Sequence, residues 1–228
     1  MYTQALNPNW NKAGEARFAS HSGFIYYAIW LKRAIYFNMF RETPITLLVK
    51  DIHAIAAEFP HAVSHAIYPL PEFQTKDHPY DALIVGWTNH WNAVFKPKEA
   101  LEPNLVKALI ASESSFNPTI VVGDAYGLMQ IMTKTLEHLV NPSELKNHFI
   151  QLQPVDLLNP NLNICTGIRW LFRKKQIAMS KHCLGWREAV REFKGYKMTD
   201  PIQKGMHRFD TLYRTMYTQS CNRHAINQ

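Results

Sequence analysis

The sequence predicts a mainly α fold: a helical bundle with at most a small β hairpin, preceded by an N-terminal helical region. Apolar residues recur at three- and four-residue steps along most of the chain, the period of a helix with one buried face. Alternation of β-branched residues is confined to 119–122. Prolines break the pattern at intervals of about a helix length.

Residues 18–40 carry Phe24, Ala28, Leu31 and Ile35 on one stripe and read as a long amphipathic helix. A second helix is expected over 45–59, started by Pro44 and ended before Pro60. Pro60, Pro69, Pro71 and Pro79 crowd the next stretch, which marks a boundary and divides the chain into 1–77 and 78–228. Beyond it, helices are expected over 80–95 and 105–115, the latter begun by Glu102-Pro103 and stopped by Asn117-Pro118. A loop or short strand pair follows around Gly123 and Gly127. Segments 134–139, 162–179, 186–193 and 201–217 complete the helical set.

Composition narrows the class. The chain has 228 residues, 46% hydrophobic and 19% charged, enough to build a core without metal or disulfide support. Three cysteines, Cys165, Cys183 and Cys221, make no paired framework. The most apolar run, 24–31, is eight residues long, well short of the roughly 20 that a membrane span needs. The N-terminus shows no basic start followed by an apolar stretch and a cleavage site, so no secretory signal is expected. Residues 165–228 hold 13 basic and 4 acidic groups, a surplus of +9 that either attracts a polyanion or solvates helix faces. None of the standard nucleic-acid reading patterns is present, and no nucleic-acid partner is expected.

The chemistry concentrates in 105–132. Glu113 is the only carboxylate of its predicted helix, and Ile110 and Leu109 lie one turn back on the same face. A carboxyl group among apolar side chains loses hydration in its charged form, which favours an acid able to donate a proton to a glycosidic oxygen. On periodicity alone the same Glu could tilt into water. Fourteen residues later comes 127–132, Gly-Leu-Met-Gln-Ile-Met, where glycine lets backbone approach a ligand and Gln130 offers a donor and an acceptor.

The blocks ALIASESSFNP (108–118) and GLMQIM (127–132) resemble the lysozyme-like superfamily, specifically the soluble lytic transglycosylase and goose-type lysozyme catalytic domain. Asn159-Pro160, Asn163-Ile164 and Gly167 are similar to that family's later helix, and the likeness covers roughly 78–215. It implies an α+β lysozyme-like fold around a glycan cleft. It also implies Glu113 as the catalytic acid and the β-1,4 bond between N-acetylmuramic acid and N-acetylglucosamine as the target. Ser114, Tyr126, Gly127, Met129, Gln130, Met132 and Tyr196 are then the expected substrate-binding residues.

Two departures stand out. Residues 120–122 are Ile-Val-Val where the transglycosylases place a Ser. The family's late Tyr-Asn pair corresponds here to Phe193-Lys194, with Tyr196 the candidate to supply the hydroxyl from a shifted position. Asp124, in Gly123-Asp124, is similar to a goose-type lysozyme aspartate proposed to position water, though Asp after Gly is also an ordinary turn residue. With Asp124 the reading inclines to an inverting muramidase. The alternatives are a lytic transglycosylase with Glu113 as sole acid and base, and a glycan-binding module without catalysis.

No cofactor and no metal are expected: His61 and His65 have i,i+4 spacing but lack the Glu of a zinc-protease motif. Cys165, Trp170 and Trp186 are expected in the core, while Phe116 either anchors the helix end there or stacks on a sugar. The implied partner is the peptidoglycan glycan strand. Without a visible signal peptide, delivery would fall to a secretion-system carrier, with an immunity protein guarding the producer, or to a phage lysin. The site of action would be the cell wall, in a target periplasm or outside the cell.

Overall fold

The computed structural model describes residues 44–59, 67–73, 78–182, 185–197 and 204–226. The expected helix over 18–40 and the pair His61 and His65 lie outside the described residues. Residues 44–228 form one compact unit, so the division at 77/78 falls inside it.

In chain order the elements are strand β1 (Thr46–Leu47), helix α1 (Val49–Ala57), helix α2 (Asp81–Phe95) and helix α3 (Pro103–Ser114). Three short strands follow, β2 (Val121–Val122), β3 (Ala125–Tyr126) and β4 (Ile131–Met132). Then come α4 (Thr133–Leu139), β5 (Phe149–Ile150), α5 (Pro160–Ser180), α6 (Trp186–Phe193) and α7 (Lys204–Ile226). The mainly α expectation holds. The hairpin is a three-stranded antiparallel sheet in the order β2-β3-β4.

Helix α5 is the axle. Asn159 caps its start by accepting from the backbone N–H of Asn161 at 3.0 Å, and Pro160 takes the first position, where no N–H is needed. Leu162, Ile164, Cys165, Ile168, Leu171 and Phe172 are buried around its circumference, the pattern of a helix enclosed by others. Helices α1, α2 and α6 pack against it. The buried indoles find acceptors: Trp87 donates to Asn161 Oδ1 at 2.7 Å, Trp91 to the Cys165 carbonyl at 3.1 Å and Trp186 to the Glu99 carbonyl at 2.9 Å. Trp170 and Phe116 are buried as well.

The expected helix over 45–59 needs correction. Thr46 and Leu47 pair in parallel with Phe149 and Ile150, and the helix begins only at Val49. Ile45 and Thr46 are β-branched and suit a strand. The Leu47 side chain is buried there, and Asp51 starts the helix by accepting the Leu48 N–H at 2.9 Å. Helix α7 runs on to Ile226, past the expected end at 217; no Gly or Pro interrupts 206–226.

Part of the basic charge of the last third is paired. Arg173 pairs with Glu144, Lys175 with Glu99, Lys181 with Glu192 and Arg187 with Asp210. Among the described residues no helix is long and apolar enough to cross a membrane.

Candidate active site

Helix α3 presents Glu113 in its last turn. Its preceding turns are sealed in the core: Ala108, Leu109, Ile110 and Ala111 are fully buried. Ser115 and Phe116 then both take left-handed backbone, at φ 51° and 61°, which ends the helix abruptly. Two consecutive non-glycine residues in that region are costly and persist only where the surroundings hold them. Here Phe116 is buried edge-on to Phe73 at 5.1 Å and stacked on Tyr80 at 6.3 Å, while the Ser115 hydroxyl accepts from Arg208 at 2.9 Å. The strained exit leaves the Glu113 side chain at the edge of the core, with 18% of its surface exposed. Ser114 points elsewhere: it is buried, and its hydroxyl donates to the Ile110 carbonyl at 3.1 Å.

Across from Glu113 sits Lys194. Helix α6 stops at Phe193, the Lys194 N–H closes on the Val190 carbonyl at 2.9 Å, and Gly195 turns the chain with φ 76°. The Lys194 ammonium lies 2.6 Å from Glu113 Oε1, with only 6% of its side chain exposed. The residue that departs from the transglycosylase pattern is thus in contact with Glu113. A carboxylate in the last turn of a helix faces that end's unpaired carbonyls, and the ammonium offsets this. Phe193 packs into the core margin. Tyr196 does so too, its hydroxyl reaching Gly205 of α7, where an added Cβ would come within 2.4 Å of the oxygen.

The loop after α3 is built around Asn163, a fully buried side chain of α5. Asn163 Oδ1 accepts the Met129 N–H at 2.8 Å, and Nδ2 donates to the Tyr126 carbonyl at 2.9 Å and the Leu157 carbonyl at 2.8 Å. Gly127, at φ 68°, fits because a Cβ would strike the Leu157 carbonyl at 2.3 Å and Asn163 at 2.5 Å. The Asn-Ile block, read in the sequence only as a family likeness, is therefore the buckle of the 126–129 turn. Gly167 serves the same turn from α5: a Cβ there would lie 2.2 Å from Met129 Sδ.

This packing corrects one expectation. Met129 is fully buried against α5, so its side chain belongs to the core and offers no surface to a glycan. Gln130 is half-buried at φ 47°, and its amide nitrogen folds back onto the Gly127 carbonyl at 2.9 Å. Met132 does reach the surface, 47% exposed, in a row with Ala125 and Val122 on one face of the small sheet. Tyr126 and Ile131 occupy the other face, half-buried and buried.

Asp124 sits at the exposed tip of the β2–β3 hairpin. Gly123, with φ 63°, supplies the left-handed first position of a two-residue turn. The Asp124 carboxylate accepts from the Thr133 hydroxyl at 3.2 Å, and its carbonyl accepts the Thr133 N–H at 3.1 Å. Those contacts tie the hairpin tip to the start of α4.

With the site in view, the family match can be placed on it. Residues 93–183 match the model of the transglycosylase SLT domain. The matched SLT segment holds Glu113, the 121–132 sheet, Asn163 and Gly167, and it ends before Lys194. Among solved structures, the chain is similar to the 70 kDa soluble lytic transglycosylase SLT70 from Escherichia coli, with 20% identity and a TM-score of 0.37. The likeness covers 72% of this chain and 30% of that one. No curated protein matches the chain. Among the described residues, no group of three His, Cys, Asp or Glu side chains could hold a metal ion.

Proposed function

We propose that this protein is a peptidoglycan lytic transglycosylase. It cleaves the β-1,4 bond between N-acetylmuramic acid and N-acetylglucosamine, with Glu113 as both acid and base. The observation that carries the reading is Glu113 itself: a half-buried carboxyl group at the strained end of a buried helix, inside the matched SLT segment.

The steps follow from its place. Protonated Glu113 gives its proton to the glycosidic oxygen as the bond to the muramic acid C1 breaks. The muramic acid's own 6-hydroxyl attacks C1, and its proton passes to Glu113, restoring the acid. An intramolecular nucleophile has a high effective concentration, so no second carboxylate is needed to hold a water. An inverting hydrolase would need one about 6.5–9.5 Å from the acid. Asp124 was the sequence candidate for that role, but its contacts with Thr133 support a turn-holding role, and this tips the reading from hydrolysis to transglycosylation.

The test is digestion of purified peptidoglycan followed by mass spectrometry of the products. The expected products carry 1,6-anhydro ends, and Glu113→Gln yields none. Reducing ends would mean hydrolysis. Undiminished cleavage by Glu113→Gln would remove Glu113 from the mechanism.

A further inference from the structure

We propose that Arg208 is a positioning residue for the acid: by holding Ser115 it locks the turn that aims Glu113, a role that rests on the function proposed above. Glu113 is the last residue but one of α3, and Ser115 and Phe116 follow the helix in left-handed backbone at φ 51° and 61°. An L-residue avoids that region because its Cβ crowds the next carbonyl, so such a turn relaxes unless its side chains are held from outside. Both are held, by different means. Phe116 is fastened by packing, with its ring edge-on to Phe73 at 5.1 Å and stacked on Tyr80 at 6.3 Å. Ser115 is fastened by a charged hydrogen bond: the Arg208 guanidinium donates to its hydroxyl at 2.9 Å. The same guanidinium nitrogen lies 3.9 Å from Glu72, the neighbour of Phe73, so the 71–73 segment and α7 meet at this turn.

Helix α7 is itself well anchored. Met206, Phe209, Leu212 and Met216 recur at three- and four-residue steps and are buried in the core. Farther along, the Tyr213 hydroxyl donates to Glu102 at 2.7 Å, at the residue that precedes α3. Helix α7 thus grips α3 at its start and at its end. Glu72, Phe73, Tyr80, Arg208 and Tyr213 all lie outside the matched 93–183, whereas the acid and its turn lie inside. The clamp on the turn is supplied by chain beyond the SLT match.

Without the hold on Ser115 the turn samples other backbone states, and Glu113 spends less time aimed at the glycosidic oxygen. Misplacing a reacting group by 1 Å can cost roughly 100-fold in rate, and a part-time loss of aim should cost about five- to tenfold. Because the fault lies in the acid and not in the groove, it lowers kcat and leaves KM nearly unchanged. Arg208 is 48% exposed, so positioning has to be separated from direct contact with the glycan.

The experiment uses the full chain and soluble peptidoglycan oligomers, with kcat and KM followed by muropeptide release. Arg208→Met should lower kcat about five- to tenfold with KM within about twofold, and Ser115→Ala, which removes the same bond from its other side, should match it. Arg208→Lys, which keeps a charged donor, should recover part of the loss. Adding Ser115→Gly to Arg208→Met should recover most of it, because glycine takes positive φ without a clamp. A side chain that touched the glycan would gain nothing from that glycine. The proposal is overturned by an unchanged kcat in Arg208→Met, by a rise in KM at constant kcat, or by failure of the glycine to restore the rate. Should Arg208→Met fail to fold, Ser115→Ala and Arg208→Lys carry the same split. If the parent releases no muropeptides, the proposed function fails, and amide hydrogen exchange then decides the clamp. The Ser115 and Asn117 N–H groups, bonded to the Ala111 and Ser114 carbonyls at 3.1 and 3.0 Å, should exchange at least fivefold faster in Arg208→Met. Unchanged exchange there overturns the clamp as well.

Discussion

Helix α3 carries two lysine–carboxylate pairs, and they are not alike. Lys107 meets Asp81 at 2.8 Å with side-chain exposures of 0% and 8%; Glu113 meets Lys194 at 2.6 Å with 18% and 6%. The first lies mid-helix on regular backbone. The second stands at the helix end, followed by two left-handed residues, and its carboxylate is the more exposed of the two carboxylates. Both bring a charge out of water, but only the second leaves its carboxyl within reach of a ligand. A closed pair serves the packing of α2 on α3. An open pair with strained backbone behind it suits a group that must change protonation.

The sharpest way to break the comparison is to neutralise each carboxylate's function in turn. Glu113→Gln keeps the shape but has no proton to give, and cleavage per folded molecule should fall by about 10²–10⁴-fold. The converse holds for the closed pair. Lys107→Met takes the buried cation away from Asp81 and should cost about 3–5 kcal/mol in urea unfolding, with cleavage per folded molecule preserved. If Lys107→Met instead removed activity without loss of stability, the division of roles between the two pairs would be wrong.

A smaller effect is expected at the 126–129 loop. Asn163→Ala leaves the Met129 N–H and the Tyr126 and Leu157 carbonyls without their shared partner, a loss of about 3 kcal/mol. Because the 126–129 turn is released, cleavage should also drop, measured at a temperature where the variant is still folded. The smallest change belongs to Asp124→Asn. The amide keeps an oxygen for the Thr133 hydroxyl, so stability should move by less than about 0.5 kcal/mol and cleavage by no more than about twofold. A large loss of rate there would restore the water-positioning role and with it hydrolysis.

Local elements were legible before the coordinates. Glu102-Pro103 and Asn159-Pro160 mark the starts of α3 and α5 because proline fixes the first helical turn, and the apolar stripe of each helix reports its buried side. Glu113 was legible for the same reason: Ile110 and Leu109 are indeed buried one turn behind it. The β1–β5 pairing was not legible, since two residues on each side and about a hundred between them leave no periodic trace. Nor was the difference between the two methionines of the 127–132 block. Met132 is exposed and Met129 is sealed, and what decides it is Gly167 opening a socket on a helix far along the chain.

The amino-acid order alone therefore settled which stretches coil into helices, where they begin, and that residue 113 is an acid with an apolar back, because these depend on neighbours within a few residues. Which cation meets that acid was decided only by the folded chain. Eighty-one residues separate Lys194 from Glu113, and nothing in local spacing encodes a contact made when α6 ends against the end of α3. The tertiary packing is what turns a lysine that merely departs from a family pattern into the partner of Glu113.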